Sequence, residues 1–252
     1  MISVNILGAG NVATHLFKAF QKSENISVNQ WYNRDISKIS TYKNEVSTID
    51  NISLLEEADI YIIAVSDDAI SKLSQSLTNK NQLVVHTSGS VSVYDLDKTL
   101  RRGVFYPLQT FSKTASVDFS NVPFCIETID KQDLELLKNL ANAIGSQWYK
   151  ISTEQRQTLH LSAVFVNNFT NQLYRIAHEI SDIQNINFDI LKPLILETAN
   201  KVQHMSPYMA QTGPAMRNDK KTIKKHLKSL ENEQHKAIYK LLTESIKKTH
   251  GR

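Results

Sequence analysis

The segment Gly8–Ala13, which reads GAGNVA, constrains the fold of this chain more than any other stretch. It follows the short apolar run Ile2–Leu7 and precedes a segment with helical periodicity. A G-x-G-x-x-A sequence in this context predicts a tight turn that a pyrophosphate can approach, because the second glycine has no Cβ. The helix that begins there offers free N–H groups to phosphates. We therefore predict dinucleotide contacts from Gly8, Ala9, Gly10, Asn11 and Val12; the alternative is a turn that binds nothing.

Short apolar strands alternate with helical patterns up to about residue 150. This alternation is typical of a mostly parallel sheet with helices between its strands. The predicted strands are Ser3–Leu7, Val28–Tyr32, Ile60–Val65, Leu83–His86, Gly103–Tyr106, Pro123–Glu127 and Gln147–Lys150. The sequence thus predicts an α/β dinucleotide-binding domain with a doubly wound sheet of the Rossmann type over residues 1–151.

Strand signals stop after Lys150, and helical patterns fill the rest of the chain. The first is one long helix, for which Ser152 or Thr153 is the candidate N-cap. Its HLSAVFVNNFTNQLY portion is apolar on nearly all sides, which predicts burial. Further helices are predicted at Phe188–Gln203, Lys220–Leu230 and Asn232–Lys247. Residues 152–252 therefore form a predicted all-α domain.

The end of the second strand indicates which dinucleotide binds. Asn33 and Arg34 follow Tyr32, where NAD-binding domains carry an acidic residue for the ribose 2′-hydroxyl. An arginine suits a 2′-phosphate through charge-assisted hydrogen bonds. Asp35 could instead contact a ribose hydroxyl, but capping of the next helix is the favoured role. We predict NADP(H) as the cofactor.

Polar residues follow two further strands, at the edge where ligands bind in such sheets. Val65 and Ser66 are predicted cofactor contacts, and Asp67 is predicted to cap the helix after them. Ser88 is a further predicted contact in the segment VVHTSGS. His86 in the same segment is a candidate acid or base, because imidazole titrates near neutral pH. The alternative for His86 is a hydrogen bond that only supports the loop.

Three polar residues interrupt the apolar long helix. Asn167 and Asn171 lie seven and eleven residues after His160, which places all three on one stripe of an α-helix. Either they satisfy one another inside a core, or they line a pocket. We predict His160 and Asn167 as catalytic residues and Asn171 as a substrate contact. Thr212 and Arg217, in the segment TGPAMRND, are predicted to bind an anionic substrate group.

Composition excludes several other classes of protein. The 252 residues include one cysteine, Cys125, which fits a reducing cytoplasm. No signal peptide, membrane-length apolar run or metal-ligand motif is present. The net charge of +4 comes from lysines near the C-terminus, which lack interleaved aromatic residues and indicate a solvated helix face rather than a nucleic-acid site.

Together, these motifs resemble a known family. The stretches ILGAGNVATHL, VVHTSGS, FYPLQTF, HLSAVFVNNF and TGPAMRND resemble two-domain proteins with a Rossmann-like domain followed by a DUF2520 domain. The chain is more distantly similar to pyrroline-5-carboxylate reductases, F420-dependent NADP reductases and the 6-phosphogluconate dehydrogenase superfamily. The resemblance implies an all-α second domain of the 6-phosphogluconate dehydrogenase C-terminal type, which often forms a dimer interface, and hence a homodimer.

Two positions depart from these relatives. The superfamily's catalytic lysine, one turn before a helix asparagine, is replaced here by Ala163 or Val164, so that mechanism does not carry over. Asn218 stands where relatives are expected to have glycine.

The sequence as a whole predicts an NADP(H)-dependent oxidoreductase. Hydride would pass to or from a carbonyl or imine of a small polar substrate between the two domains. The missing lysine keeps a second hypothesis open, a non-catalytic NADP-binding sensor or scaffold.

Overall fold

The computed structural model describes residues 1–78, 82–113 and 115–251. The chain forms two compact units, Met1–Asn167 and a second that begins at Asn168. The first unit therefore includes the start of the long helix, which the sequence analysis assigned to the second domain. Arg252, the last residue of the predicted second domain, lies outside the described residues.

An eight-stranded sheet organises the first unit, with the strand order β3-β2-β1-β4-β5-β6-β7-β8. Neighbouring strands are parallel except for β6 and β7. The first six strands follow the doubly wound order, so the predicted fold class is confirmed. The strands are β1 (Ile2–Leu7), β2 (Ile26–Tyr32), β3 (Ser47–Ile49), β4 (Ile60–Ile63), β5 (Leu83–His86), β6 (Arg101–Pro107), β7 (Phe124–Thr128) and β8 (Trp148–Lys150).

All seven predicted strands are present; β5 has the predicted bounds, and the other six are shifted by one or two residues. The fourth strand ends at Ile63 rather than at the predicted Val65. Strand β3 was not predicted, because three residues at the sheet edge are too short for a period-two pattern.

Hydrophobic cores lie on both faces of the sheet. Alternate residues of β4 belong to different cores: Ile62 packs in the first and Ile63 in the second. Helix α1 (Asn11–Phe20) and helix α3 (Asp133–Ala143) contribute to the first core, and helix α2 (Asp67–Gln75) contributes to the second. Strands β4 and β5 are buried along their whole length, which explains why their sequences are almost continuously apolar.

The long predicted helix is helical throughout but not uniform. Ser152 caps it, and its side chain and that of Gln155 form a reciprocal capping box. Helix α4 (Thr153–Ala163) continues into a π-helical segment (Val164–Phe169) and then helix α5 (Thr170–Ile183).

The predicted burial of this helix is wrong for the single chain. Phe165, Val166 and Phe169 each expose half or more of their surface. Within the first unit, helix α4 packs through another side, where Thr153 and Arg156 are buried.

The second unit contains helices and, within its described residues, no strand. After α5 come α6 (Lys192–His204), α7 (Pro207–Ala210), α8 (Lys220–Ser229) and α9 (Glu233–Thr249). The helix predicted from Phe188 begins as a 3₁₀ turn, Phe188–Leu191, because Pro193 favours the first turn of α6. Among the described helices, none combines the length and apolar character that crossing a membrane would need.

Candidate functional site

The three segments that follow β1, β4 and β5 begin at the same height along the sheet. Leu7 pairs with Ile63, and Ile63 pairs with His86, so the ends of β1, β4 and β5 are in register. The glycine turn, the Ala64–Ser66 segment and the His86–Gly89 loop therefore share the carboxyl edge of the sheet, where ligands of such folds bind.

The two glycines of the turn have different roles. Gly8 has φ +119°, and a Cβ there would lie 2.2 Å from the Ala64 carbonyl oxygen, so the fold itself requires glycine. At Gly10 the nearest atom to such a Cβ is the same oxygen at 3.9 Å. Gly10 thus borders open space, which lets a ligand approach the backbone.

The start of helix α1 has features that favour an anionic ligand. Its N-cap is Gly10, no side chain caps it, and its first turn holds no acidic residue. The helix dipole and the first N–H groups therefore favour a negative ligand. Neighbouring contacts fix the turn: the Trp31 indole N–H donates to the Gly8 carbonyl at 2.6 Å, and the Asn11 amide donates to the Phe111 carbonyl at 2.7 Å. Ala9 and Val12 pack against the first core.

Arg34 is exposed directly after β2, where the sequence placed a 2′-phosphate contact. The side-chain amide of Asn33 donates to the Asp35 carbonyl at 2.7 Å. Asp35 caps the next turn, as predicted, by accepting from the Ser37 N–H. Hydrogen bonds from Ser37 lower the pKa of the Asp35 carboxyl.

The prediction that Asp67 caps α2 is wrong. Ser66 occupies the N-cap position, and Asp67 is the first helical residue. The Asp67 carboxylate instead accepts a short hydrogen bond from the Ser90 hydroxyl. It thereby ties α2 to the loop after β5. Val65 packs against the second core.

His86 is completely buried at the end of β5. The Ser88 N–H donates to its Nδ1 at 3.2 Å, and Nε2 has no hydrogen-bond partner within the described structure. Burial, and then the nearby Arg156 charge, lower the pKa of His86 to about 3. The imidazole is therefore neutral at physiological pH, which favours the loop-supporting role that the sequence left open.

Arg156 is a fully buried cation on α4. Its guanidinium donates to the carbonyls of Ser88, Gly89 and Val91 at 3.2, 3.3 and 2.8 Å. It also donates to the Glu127 carboxylate at 3.1 Å. One side chain thus fixes the loop after β5 against the helix that carries His160.

His160 lies beside this loop. Its Nδ1 is 3.0 Å from the hydroxyl of Tyr106, at the end of β6. A Cβ on Gly89 would come within 2.5 Å of the same nitrogen. The structure therefore brings His160, Tyr106 and Gly89 together at the carboxyl edge of the sheet.

The predicted polar stripe on the long helix is not continuous. The π-helical segment, which contains Asn167, lies between His160 and Asn171 and alters the spacing of 3.6 residues per turn on which the stripe depended. Asn167 and Asn171 are both exposed. π-Helical turns occur frequently at functional sites, so Asn167 stays a candidate.

The loop TGPAMRND belongs to the second unit. Asn218 adopts φ +55°, the left-handed conformation that glycine would adopt, and asparagine tolerates it better than most residues. Asparagine at this position is therefore compatible with the turn. Arg217 and Thr212 are exposed, and Asp219 caps α8 as predicted.

Sequence reasoning missed Tyr106 and Arg156 as site residues. Tyr106 lies in the quoted stretch FYPLQTF, and an aromatic residue at the end of a strand is a usable signal. Arg156 had no local signal, because it resembles the other polar residues of its helix. Among the described residues, no three His, Cys, Asp or Glu side chains are grouped to hold a metal ion.

Residues 3–89 match the family described as NADP oxidoreductase, coenzyme F420-dependent. Residues 122–246 match the domain of unknown function DUF2520. A Bacteroides fragilis protein of known crystal structure, provisionally named an NADP oxidoreductase, is 37% identical in sequence to this chain. The match covers 100% of this chain and 98% of that chain, with a TM-score of 0.88.

Two further solved structures share the fold at lower identity. An imine reductase from Myxococcus stipitatus, in complex with NADP+, is 17% identical over 99% of this chain and 96% of its own, with a TM-score of 0.68. A pyrroline-5-carboxylate reductase from Coxiella burnetii is 18% identical over 98% and 97%, with a TM-score of 0.57. Among proteins with curated descriptions, none matches the sequence.

The buried neutral His86 predicts a pH-dependent stability. The unfolded imidazole gains a proton near its ordinary pKa of 6.5, whereas the folded one stays neutral down to about pH 3. Its contribution is therefore complete above about pH 6.5 and is lost as the pH falls towards 3. Between pH 6 and 5, we expect His86 to lower the free energy of unfolding by up to about 1.4 kcal/mol.

Urea unfolding at pH 7, 6 and 5 measures the slope of the free energy of unfolding against pH. His86→Asn keeps an acceptor for the Ser88 N–H but cannot gain a proton, so the slope should flatten. His204→Asn, at an exposed histidine, is the matched control. Equal slopes in wild type and His86→Asn would contradict the assignment.

Proposed function

Because this chain belongs to the family of NADP oxidoreductases that join a dinucleotide-binding domain to DUF2520, we propose that it reduces or oxidises a small polar substrate with NADP(H). The reacting bond is C=N or C=O in the oxidised form of the substrate. The observation that carries the proposal is the placement of an anion-binding glycine turn and the His160–Tyr106 pair along one edge of one sheet.

The residues of the edge fit NADP(H). The space over Gly10 and the uncapped start of α1 suit the pyrophosphate. Arg34, whose guanidinium is exposed after β2, suits the 2′-phosphate, with Asn33 beside it. Ser66 and Ser88 end the two strands next to the turn and stay proposed contacts. When bound, the reduced cofactor supplies a hydride to the carbon of the substrate.

His160 supplies the proton in this proposal. Reduction of C=N or C=O adds a hydride to carbon and a proton to nitrogen or oxygen, so the site needs one acid within hydrogen-bond reach. We assign the acid to His160 Nε2, because Nδ1 is engaged with Tyr106. His86 is less suited, because its ring is buried and neutral.

The fold neighbours and the polar residues together support the proposed substrate class. The named activities of two neighbours concern an imine and a pyrroline carboxylate, so small imines are the first compounds to test. Arg217 suits a carboxylate on such a molecule. Asn167, Asn171 and Thr212 stay proposed polar contacts. An enzyme is favoured over a sensor, because cofactor binding alone does not need a histidine whose ring nitrogen is hydrogen-bonded to a tyrosine.

We also propose a cytoplasmic homodimer, with a second copy covering exposed apolar residues of the long helix. Phe165, Val166, Phe169 and Leu173 expose 61, 76, 50 and 40% of their surface. Such a patch commonly marks an interface. Light scattering at micromolar concentration should give twice the chain mass of 28.6 kDa. A monomer would contradict the dimer without affecting the cofactor assignment.

Oxidation of NADPH, followed by its absorbance, tests the activity with the cyclic imine 1-pyrroline as probe. His160→Gln should lower kcat by about 100- to 10,000-fold, the usual contribution of a general acid. NADPH affinity should stay unchanged, because His160 only moves the proton. His204→Gln is the control at an exposed histidine. Full turnover in His160→Gln would remove His160 from the mechanism.

Calorimetric titration tests the 2′-phosphate assignment. Arg34→Gln should weaken NADPH binding by about 10- to 100-fold, since a charge-assisted hydrogen bond is worth about 1.5 to 3 kcal/mol. NADH binding should change little, because NADH lacks that phosphate. Lys43→Gln removes an equal exposed charge and serves as control. Unchanged NADPH affinity in Arg34→Gln would overturn the assignment.

A further inference from the structure

The Tyr106 hydroxyl forms a single hydrogen bond in the described structure, and that bond joins it to His160 Nδ1 at 3.0 Å. Tyr106 is 9% exposed, and the two rings meet edge to face with their centroids 6.0 Å apart. A buried phenol needs a hydrogen-bond partner, and the imidazole is its partner here.

Gly89 makes this pairing possible. A Cβ at position 89 would lie 2.5 Å from His160 Nδ1 and 2.9 Å from Tyr106 Cζ. Real side chains do not tolerate such contacts, so any larger residue would separate the two rings. Arg156 holds the Gly89 carbonyl at 3.3 Å and keeps the loop in place. The absence of a side chain at position 89 is therefore part of the arrangement.

We propose that Tyr106 is the positioning residue of His160, directing Nδ1 inwards so that Nε2 alone exchanges a proton with the substrate. This rests on the proposed oxidoreductase function. Nδ1 keeps its proton and donates it to the Tyr106 hydroxyl oxygen, both when the ring is an imidazolium and after Nε2 has given its proton to the substrate. The bond thus persists in both protonation states, and the ring does not turn between them.

The surroundings of Tyr106 are compatible with this acceptor role. Burial raises the pKa of Tyr106 to about 12, so the hydroxyl stays neutral at neutral pH and does not take up the Nδ1 proton as a phenolate would. The neutral His160 is therefore the Nδ1–H tautomer, whose unprotonated Nε2 can take up a proton again.

Long-range proton–nitrogen NMR of histidine-labelled protein tests the pairing directly. Wild-type His160, identified with His160→Gln, should show a protonated Nδ1 held in a hydrogen bond. Tyr106→Phe should remove that hydrogen bond and change the Nδ1 signal. Tyr149→Phe, which removes an exposed hydroxyl bonded only to Gln147 in the described residues, should leave it unchanged. Gly89→Ala keeps the phenol but separates the rings, so it should reproduce the Tyr106→Phe spectrum. It provides a second test if Tyr106→Phe folds poorly.

Kinetics with 1-pyrroline and NADPH provide the functional readout. Tyr106→Phe should lower kcat by about 10- to 100-fold, the effect of a catalytic group displaced by about an ångström. The KM for the imine and the Kd for NADPH should stay within about twofold, because a positioning residue does not bind either compound.

The two readouts fail separately. Identical His160 spectra in wild type and Tyr106→Phe would overturn the positioning role, whatever the activity. An inactive wild type with the expected spectra would instead refute the proposed reaction and leave the Tyr106–His160 pairing intact.

Discussion

The buried guanidinium of Arg156 is the interaction on which the candidate site depends. Removing a charge from water is costly, and the cost is offset only when the charge finds enough partners. Arg156 has three loop carbonyls, the Glu127 carboxylate and the Thr153 hydroxyl. These partners come from the loop after β5, strand β7 and helix α4. The ion therefore sets the distance between the sheet edge and the helix that carries His160.

In the proposed site, the backbone binds phosphates and a side chain transfers the proton. Binding of phosphates needs only N–H groups, a dipole and space, and the turn at Gly8 and Gly10 provides all three. Proton transfer, which we propose for His160, needs an oriented side chain, and Tyr106 and Gly89 lie against its ring. Register between β1, β4 and β5 places the turn and the loop side by side.

Local patterns predicted the features that depend on local physics. The glycine turn, the strands, the caps Ser152 and Asp219, and the family resemblance were all visible in short stretches and are confirmed. The hydrogen bonds from Arg156 to the loop carbonyls join residues 65 to 68 positions apart, and Tyr106 and His160 are 54 apart, so no periodic pattern contains them. The π-helical segment escaped prediction because the helical stripe assumed a constant 3.6-residue period. His86 was a candidate acid in the sequence, and only the fold revealed how completely it is buried.

Transfer of deuterium tests the central claim of a hydride-transferring enzyme most directly. The protein is incubated with 1-pyrroline and NADPH that carries deuterium at either face of nicotinamide C4, and the product is analysed by mass spectrometry. The account predicts pyrrolidine with one deuterium from one of the two labelled cofactors and none from the other. If NADPH binds but neither 1-pyrroline nor a panel of small imines and carbonyls acquires deuterium, the claim is contradicted and the chain is an NADP-binding sensor.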